Sequence, residues 1–132
     1  MDIGDKRIGV AMSDPGGILA TPLMVLKRRG EPEDIDVINR LVRENQAARV
    51  IIGLPLKMDG QVGEQAAKVK AFATQLEESS PVPLIFRDER LSTVTAQHLR
   101  WEAAAGKRVR KAPDDDAAAA VILQGYLDET RL

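Results

Sequence analysis

The sequence has no cysteine and a single histidine, His98, among its 132 residues. Without thiols there is neither a disulfide framework nor a thiolate metal site, and one imidazole cannot build the histidine cluster that zinc favours. Any metal would be held mainly by oxygen, which points to hard cations such as magnesium. Aromatic residues are equally scarce: Phe72, Phe86, Trp101 and Tyr126 complete the set. So few rings make no platform for stacking successive bases, and a nucleic acid, if bound, would be gripped by its backbone. No apolar run approaches the roughly 18 to 20 residues that span a bilayer, and no basic segment followed by an apolar stretch opens the chain at Met1. A cytoplasmic protein with no membrane partner is therefore expected. The net charge of −1 advertises no polyanion ligand either.

The length suits one domain, 1–132, with a real core and no room for two lobes closing on a ligand. That lack of room argues against the actin-like and sugar-kinase ATPases, which also begin with an Asp-x-Gly hairpin. Positive residues gather at Lys6-Arg7, at Lys27-Arg28-Arg29, and most densely at Lys107-Arg108-Val109-Arg110-Lys111. Solvated surface explains any one of these groups, with phosphate contact as the alternative.

Turn residues at Gly4-Asp5 and Asp14-Pro15-Gly16-Gly17 bracket a strand from Arg7 to Ser13, and Ile18 to Leu26 reads as the next. Met1-Asp2-Ile3 is all that represents the first strand of this meander. Three residues make little ladder, which points to a start a few residues upstream. From Pro32 the period becomes helical, with Ile35, Ile38, Leu41 and Val42 on one face. Arg49 to Leu54 suits a strand buried on both faces, and a glycine-rich loop runs from Pro55 to Gly63. Ala66, Val69, Phe72, Ala73 and Leu76 mark a second helix, and Pro83-Leu84-Ile85-Phe86 a fifth strand. Ser92 can cap a helix running to about Ala104, where His98 and Trp101 lie three apart and fit packing on the sheet better than substrate contact. A last helix, capped by Asp114 or a neighbour, carries Ala118, Val121, Ile122, Leu123, Tyr126 and Leu127.

Right-handed crossovers would set the fourth and fifth strands beside the first, giving an α/β fold with a five-stranded mixed sheet of order 3-2-1-4-5 flanked by helices. Its functional crevice would lie beyond the carboxyl ends of the parallel strands, near Asp2, Gly53-Leu54-Pro55 and Asp88-Glu89. Asp2 and Gly4 would share a face, with the missing side chain at Gly4 leaving room beside the carboxylate. Singly, each acid has a plain structural reading: a turn for Asp2, a surface pair with Arg87 or Arg90 for Glu89, helix capping for Asp114-Asp115-Asp116. Together they would crowd one crevice and repel unless a cation joined them. Magnesium accepts such oxygen ligands, and two ions about 3.5 to 4 Å apart suit in-line displacement at a phosphodiester. Gly53, Gly60 and Gly63 fit either close approach to phosphate or turn formation.

The blocks Asp2-Ile3-Gly4-Asp5-Lys6-Arg7-Ile8-Gly9-Val10-Ala11, Gly53-Leu54-Pro55-Leu56-Lys57-Met58-Asp59-Gly60, Asp88-Glu89-Arg90-Leu91-Ser92-Thr93 and Ala119-Val121-Ile122-Leu123-Gln124 closely resemble the YqgF (RuvX) family, in order and over essentially the whole chain. The resemblance implies a ribonuclease-H-like fold and a nuclease that matures the 5′ end of pre-16S rRNA, with kinship to Holliday-junction resolvases. It further implies catalytic and metal-binding roles for Asp2, Glu89 and Asp115 with Mg2+ or Mn2+, two ions being expected. Asp115 follows from counting back from Ile122-Leu123-Gln124. Asp114 stands where the family usually has an apolar residue, so the choice among Asp114, Asp115 and Asp116 stays open. Lys57 replaces the family's usual asparagine and offers a point charge rather than an orienting amide. Lys6, Arg7, Lys57, Arg90, Lys107, Arg108, Arg110 and Lys111 are the candidate nucleic-acid contacts. Expected partners are pre-rRNA, branched DNA and a pre-ribosomal particle, with the chain a monomer or a homodimer. A ribosome-assembly module that binds nucleic acid without effective catalysis is the competing reading.

Overall fold

The computed structural model describes residues 1–90 and 115–130. Three antiparallel strands come first, β1 (Asp2–Ile3), β2 (Arg7–Ser13) and β3 (Ala20–Lys27), followed by helix α1 (Glu31–Glu44). Strand β4 (Val50–Leu54), helix α2 (Glu64–Ser79), strand β5 (Leu84–Asp88) and helix α3 (Asp115–Thr130) complete the described chain. The helix expected from Ser92 to Ala104, with His98 and Trp101, lies outside the described residues.

Alternation decides which face each strand residue serves. Ile3, Ile8, Val10, Val50, Ile52 and Leu54 join one core with Ile38 and Val42 of α1 and with Val69, Phe72 and Leu76 of α2. Asp2, paired with Gly9, and Gly53 therefore look the other way, toward α3, which packs across β2, β3, β1 and β4. Every residue of β4 is buried, as its unbroken apolar run suggests.

The expected single sheet of order 3-2-1-4-5 is not formed. Strands β1, β2 and β3 make one antiparallel sheet in that order, and β4 and β5 make a separate parallel pair. With only two residues, β1 offers too little backbone for a ladder along β4. Met1 alone bridges the gap: its amino group donates to the Ile51 carbonyl, and the Gly53 N–H donates to the Met1 carbonyl at 3.0 Å. Those two bonds have the pattern of parallel pairing, confined to one residue.

Helix α1 also buries something its apolar stripe does not announce. Asp34 is 4% exposed. It accepts from Arg28 Nε at 3.2 Å and from the Arg29 N–H at 3.0 Å. Arg28 further donates to the Gly4 carbonyl at 3.1 Å and lies 4.9 Å from the Phe72 ring centre, so one guanidinium ties β3, the first turn, α1 and α2 together. Arg28→Met should therefore destabilise the fold by about 2 kcal/mol, below the usual cost of orphaning a buried charge because Arg28 itself is partly exposed. A shift in the urea midpoint at unchanged slope would register it; no shift would show that Asp34 is satisfied by the backbone alone.

Candidate active site

The carboxyl ends of β1, β4 and β5 face the same end of the molecule, and the two strand-borne acids meet there. Asp2 is held on β1 by pairing with Gly9, and Glu89 follows the last residue of β5. Glu89 is in hydrogen-bond contact with Asp2. Burial pushes the Glu89 carboxyl up to about 7, reinforced by the negative charge of Asp2, by donation of its proton to Asp2 and by Asp88, while the Met1 amino group pulls the other way. Near neutral pH the pair thus shares a proton where a cation could stand. Donors that are oxygen only, close together and partly dry fit a hard divalent cation.

Asp115 is the first residue of α3. It lies two helical turns before Ile122, whose side chain reaches Gly53 beneath Glu89, so the start of α3 heads toward the same end of the sheet. Asp114 is outside the described residues, and among the described residues no group of three or more metal-ligating side chains forms. Of the three expected acids, Asp2 and Glu89 meet, and the side chain of Asp115 lies outside what the structure describes.

Gly53 is the residue whose purpose the sequence did not reveal. It lies inside β4, not in a turn, and its bare Cα makes room for its neighbours. A Cβ there would sit 2.5 Å from Ile122 Cδ1, 2.6 Å from Glu89 Oε1 and 2.9 Å from Glu89 Cγ. A glycine within an apolar strand was the available signal, since such a residue often marks close approach by another group. Gly4 has the opposite history. Its N–H donates to the Arg7 carbonyl at 2.8 Å and a Cβ would meet that oxygen at 2.9 Å, so the tight turn accounts for it rather than ligand space beside Asp2. Gly125 on α3 does for Arg87 what Gly53 does for Glu89: a Cβ there would overlap the buried guanidinium, which pairs with Glu129 at 3.1 Å.

The cations divide by use. Lys6 and Arg7 are exposed at the turn that follows β1, and Lys57 is exposed in the loop after β4, its stem lying along Gly63. Arg90, its side chain 36% exposed, is engaged within the protein. It grips Asp88 through Nε at 2.9 Å and Nη2 at 2.6 Å, holding that carboxyl below the usual range, and Nη1 donates to the Met58 carbonyl at 3.1 Å. Lys107, Arg108, Arg110 and Lys111 lie outside the described residues. The Gln124 amide joins α3 to the β2–β3 connection, accepting from the Ala20 N–H at 2.9 Å and donating to the Ile18 carbonyl at 2.8 Å.

A half-buried acid pair thus stands at the strand ends. The family described as "RuvX: Holliday junction resolvase" matches residues 1–129. The chain belongs to the RuvX family. Among its relatives, the Dehalococcoides mccartyi protein named "Putative pre-16S rRNA nuclease" is 49% identical over 128 residues, 97% of this chain and 95% of that one. A Synechococcus protein of the same name is 45% identical over 131 residues, covering 99% of this chain and 82% of its own. The structure titled "T. thermophilus RuvC in complex with Holliday junction substrate" aligns with TM-score 0.66 at 16% identity, covering 98% of this chain and 91% of that one. At that identity the likeness shows the fold, which it places with RuvC. No helix among the described residues is long and apolar enough to cross a membrane.

Proposed function

We propose that this RuvX-family chain is a divalent-cation-dependent nuclease that hydrolyses a phosphodiester in maturing the 5′ end of pre-16S rRNA. The observation that carries the proposal is the Asp2–Glu89 contact, two carboxyl groups from separate strands brought within hydrogen-bond reach at the carboxyl end of the sheet. Asp2 and Glu89 would hold Mg2+ or Mn2+, with Asp115 as the expected third ligand. When bound, such an ion supplies Lewis acidity toward the phosphodiester and lowers the pKa of the attacking water. The chain's own residues do the rest. Glu89 would serve as a ligand in its ionised form, and the backbone pairing of Asp2 with Gly9 keeps that carboxylate aimed. Exposed Lys6, Arg7 and Lys57 supply charge for the phosphates flanking the cut.

The test is cleavage of a 5′-extended small-subunit rRNA fragment and of a four-way DNA junction, with magnesium, manganese or chelator. Asp2→Asn should lower cleavage by at least about a hundredfold while leaving the fold intact, the order expected when charge stabilisation is removed at a reacting centre. Cutting that survives either chelation or this substitution would refute the assignment. Holliday-junction resolution is the second reading, favoured by the family's description. It would require two active sites on symmetric strands, so a stable two-fold dimer that prefers the junction would support it, and a monomer that prefers the rRNA would not. If both substrates bind but neither is cut, the chain is a nucleic-acid-binding assembly module.

A further inference from the structure

Met58 is 90% exposed, far more than any other large apolar side chain among the described residues. A floppy loop would explain such exposure, but this loop is braced. The Lys57 N–H donates to the Gln61 carbonyl at 3.0 Å, the Gly60 N–H to the Lys57 carbonyl at 2.7 Å, and the Gln61 N–H to Asp59 Oδ1 at 3.0 Å. Gly60 takes φ 87°, a conformation that suits glycine and lets the chain reverse there. The Met58 carbonyl itself is held by Arg90, whose other donors hold Asp88, so the loop tip is tied to both neighbours of Glu89. The backbone is thus fixed so as to keep a thioether in water on a loop fastened to the segment that carries Glu89.

We propose that Met58 is a wedge that contacts and unstacks a base of the substrate next to the scissile phosphodiester, and that Arg90 is the positioning residue that sets it there. The inference rests on the nuclease reading of the Asp2–Glu89 site. Its occupant is a nucleic acid because exposed Lys57 adjoins Met58 on a loop fastened to the segment that carries Glu89, so that a phosphate and its base can be met together. Exposed Lys57 precedes Met58 and exposed Asp59 follows it, and Val62, 49% exposed, is the other exposed large apolar side chain of this loop. Methionine is among the apolar side chains that enter base steps, and its sulfur is favourable against an aromatic edge. Lys57, with its stem laid along Gly63, stands ready for the adjacent phosphate. This assignment also accounts for a guanidinium beside Glu89 that turns its donors inward.

The test uses the full chain carrying Asp2→Asn to prevent cutting, with two probes: an RNA stem-loop with a single-stranded 5′ extension and a four-way DNA junction. Each carries 2-aminopurine, placed singly along the extension or at the branch point. Binding should raise the fluorescence of one labelled position severalfold as its base unstacks. Adding Met58→Gln should abolish that rise and weaken binding about tenfold, the order expected when a methionine no longer buries its side chain. Met58→Leu should restore both, and neither change should move the melting temperature of so exposed a site. Equal fluorescence and affinity for the Gln and Leu variants would overturn the wedge while leaving the nuclease reading intact, and would point to a protein contact for Met58. If the Asp2→Asn chain bound neither probe, the nuclease reading and the wedge would fall together.

Discussion

Gly53→Ala should slow cleavage about a hundredfold and destabilise the fold by about 2 kcal/mol at once, the first from misplacing a reacting group by about an ångström and the second from overpacking a buried strand. The added Cβ would fall within 2.6 Å of both Ile122 Cδ1 and Glu89 Oε1. Ile122 is 3% exposed and cannot retreat without moving α3. Glu89 is the group that can turn aside, and turning it works against its contact with Asp2. Gly63→Ala is the matched control: its Cβ would meet Lys57 Cε at 2.8 Å, the flexible part of an exposed side chain that can swing aside. Thermal melts, cleavage rates and calorimetric magnesium affinity on the two variants would separate the effects. A Gly53→Ala protein with unaltered magnesium affinity would show that Glu89 does not need its present seat.

Magnesium affinity should rise with pH up to about 7 and then level off, being about tenfold weaker at pH 6 than above pH 8. The sign follows from Glu89, which keeps its proton to about 7 in the folded chain and must release it to serve as a ligand. Below that pH each ion bound displaces a proton, detectable as a dependence of the binding heat on the buffer's ionisation enthalpy. Glu89→Gln should bind the ion weakly and without the pH slope. In the absence of metal the linkage runs the other way. Between the ordinary carboxyl value of 4.5 and about 7 the folded chain holds a proton that the unfolded chain has lost, so stability falls as pH rises through that window. Added magnesium should offset this fall above pH 7. A pH-independent magnesium affinity from pH 5.5 to 8 would show that Glu89 is not a ligand.

Local pattern made much of the fold legible. The helical stripe of Ala66, Val69, Phe72, Ala73 and Leu76 is buried as its period implies, and the Val/Ile run of β4 is covered on both faces. At α1 the same reasoning found the apolar face and missed Asp34, because a buried acid is recognisable only with its partners, and Arg28 reaches it from another element. Arg90 reads as a phosphate ligand when seen as a charge in a motif; the fold adds that it also donates to Asp88 and to a carbonyl 32 residues away. The fifth strand outlasts its apolar run: β5 continues through Arg87 and Asp88, polar residues that carry no strand pattern of their own.

By itself, the sequence determined what depends on near neighbours and on composition: the succession of strands and helices, an oxygen-only chemistry, and Asp2 and Glu89 as acids at strand ends. Periodicity and turn residues act within a few positions, so they can be read without knowing the partner. Only the tertiary structure decided that the strands divide into two sheets bridged by Met1, that Gly53 is the seat of Glu89, and that Glu89 meets Asp2 where burial raises its pKa. Each of these turns on groups distant in sequence and close in space, where backbone pairing, excluded volume and a shared proton are set by contact rather than by pattern.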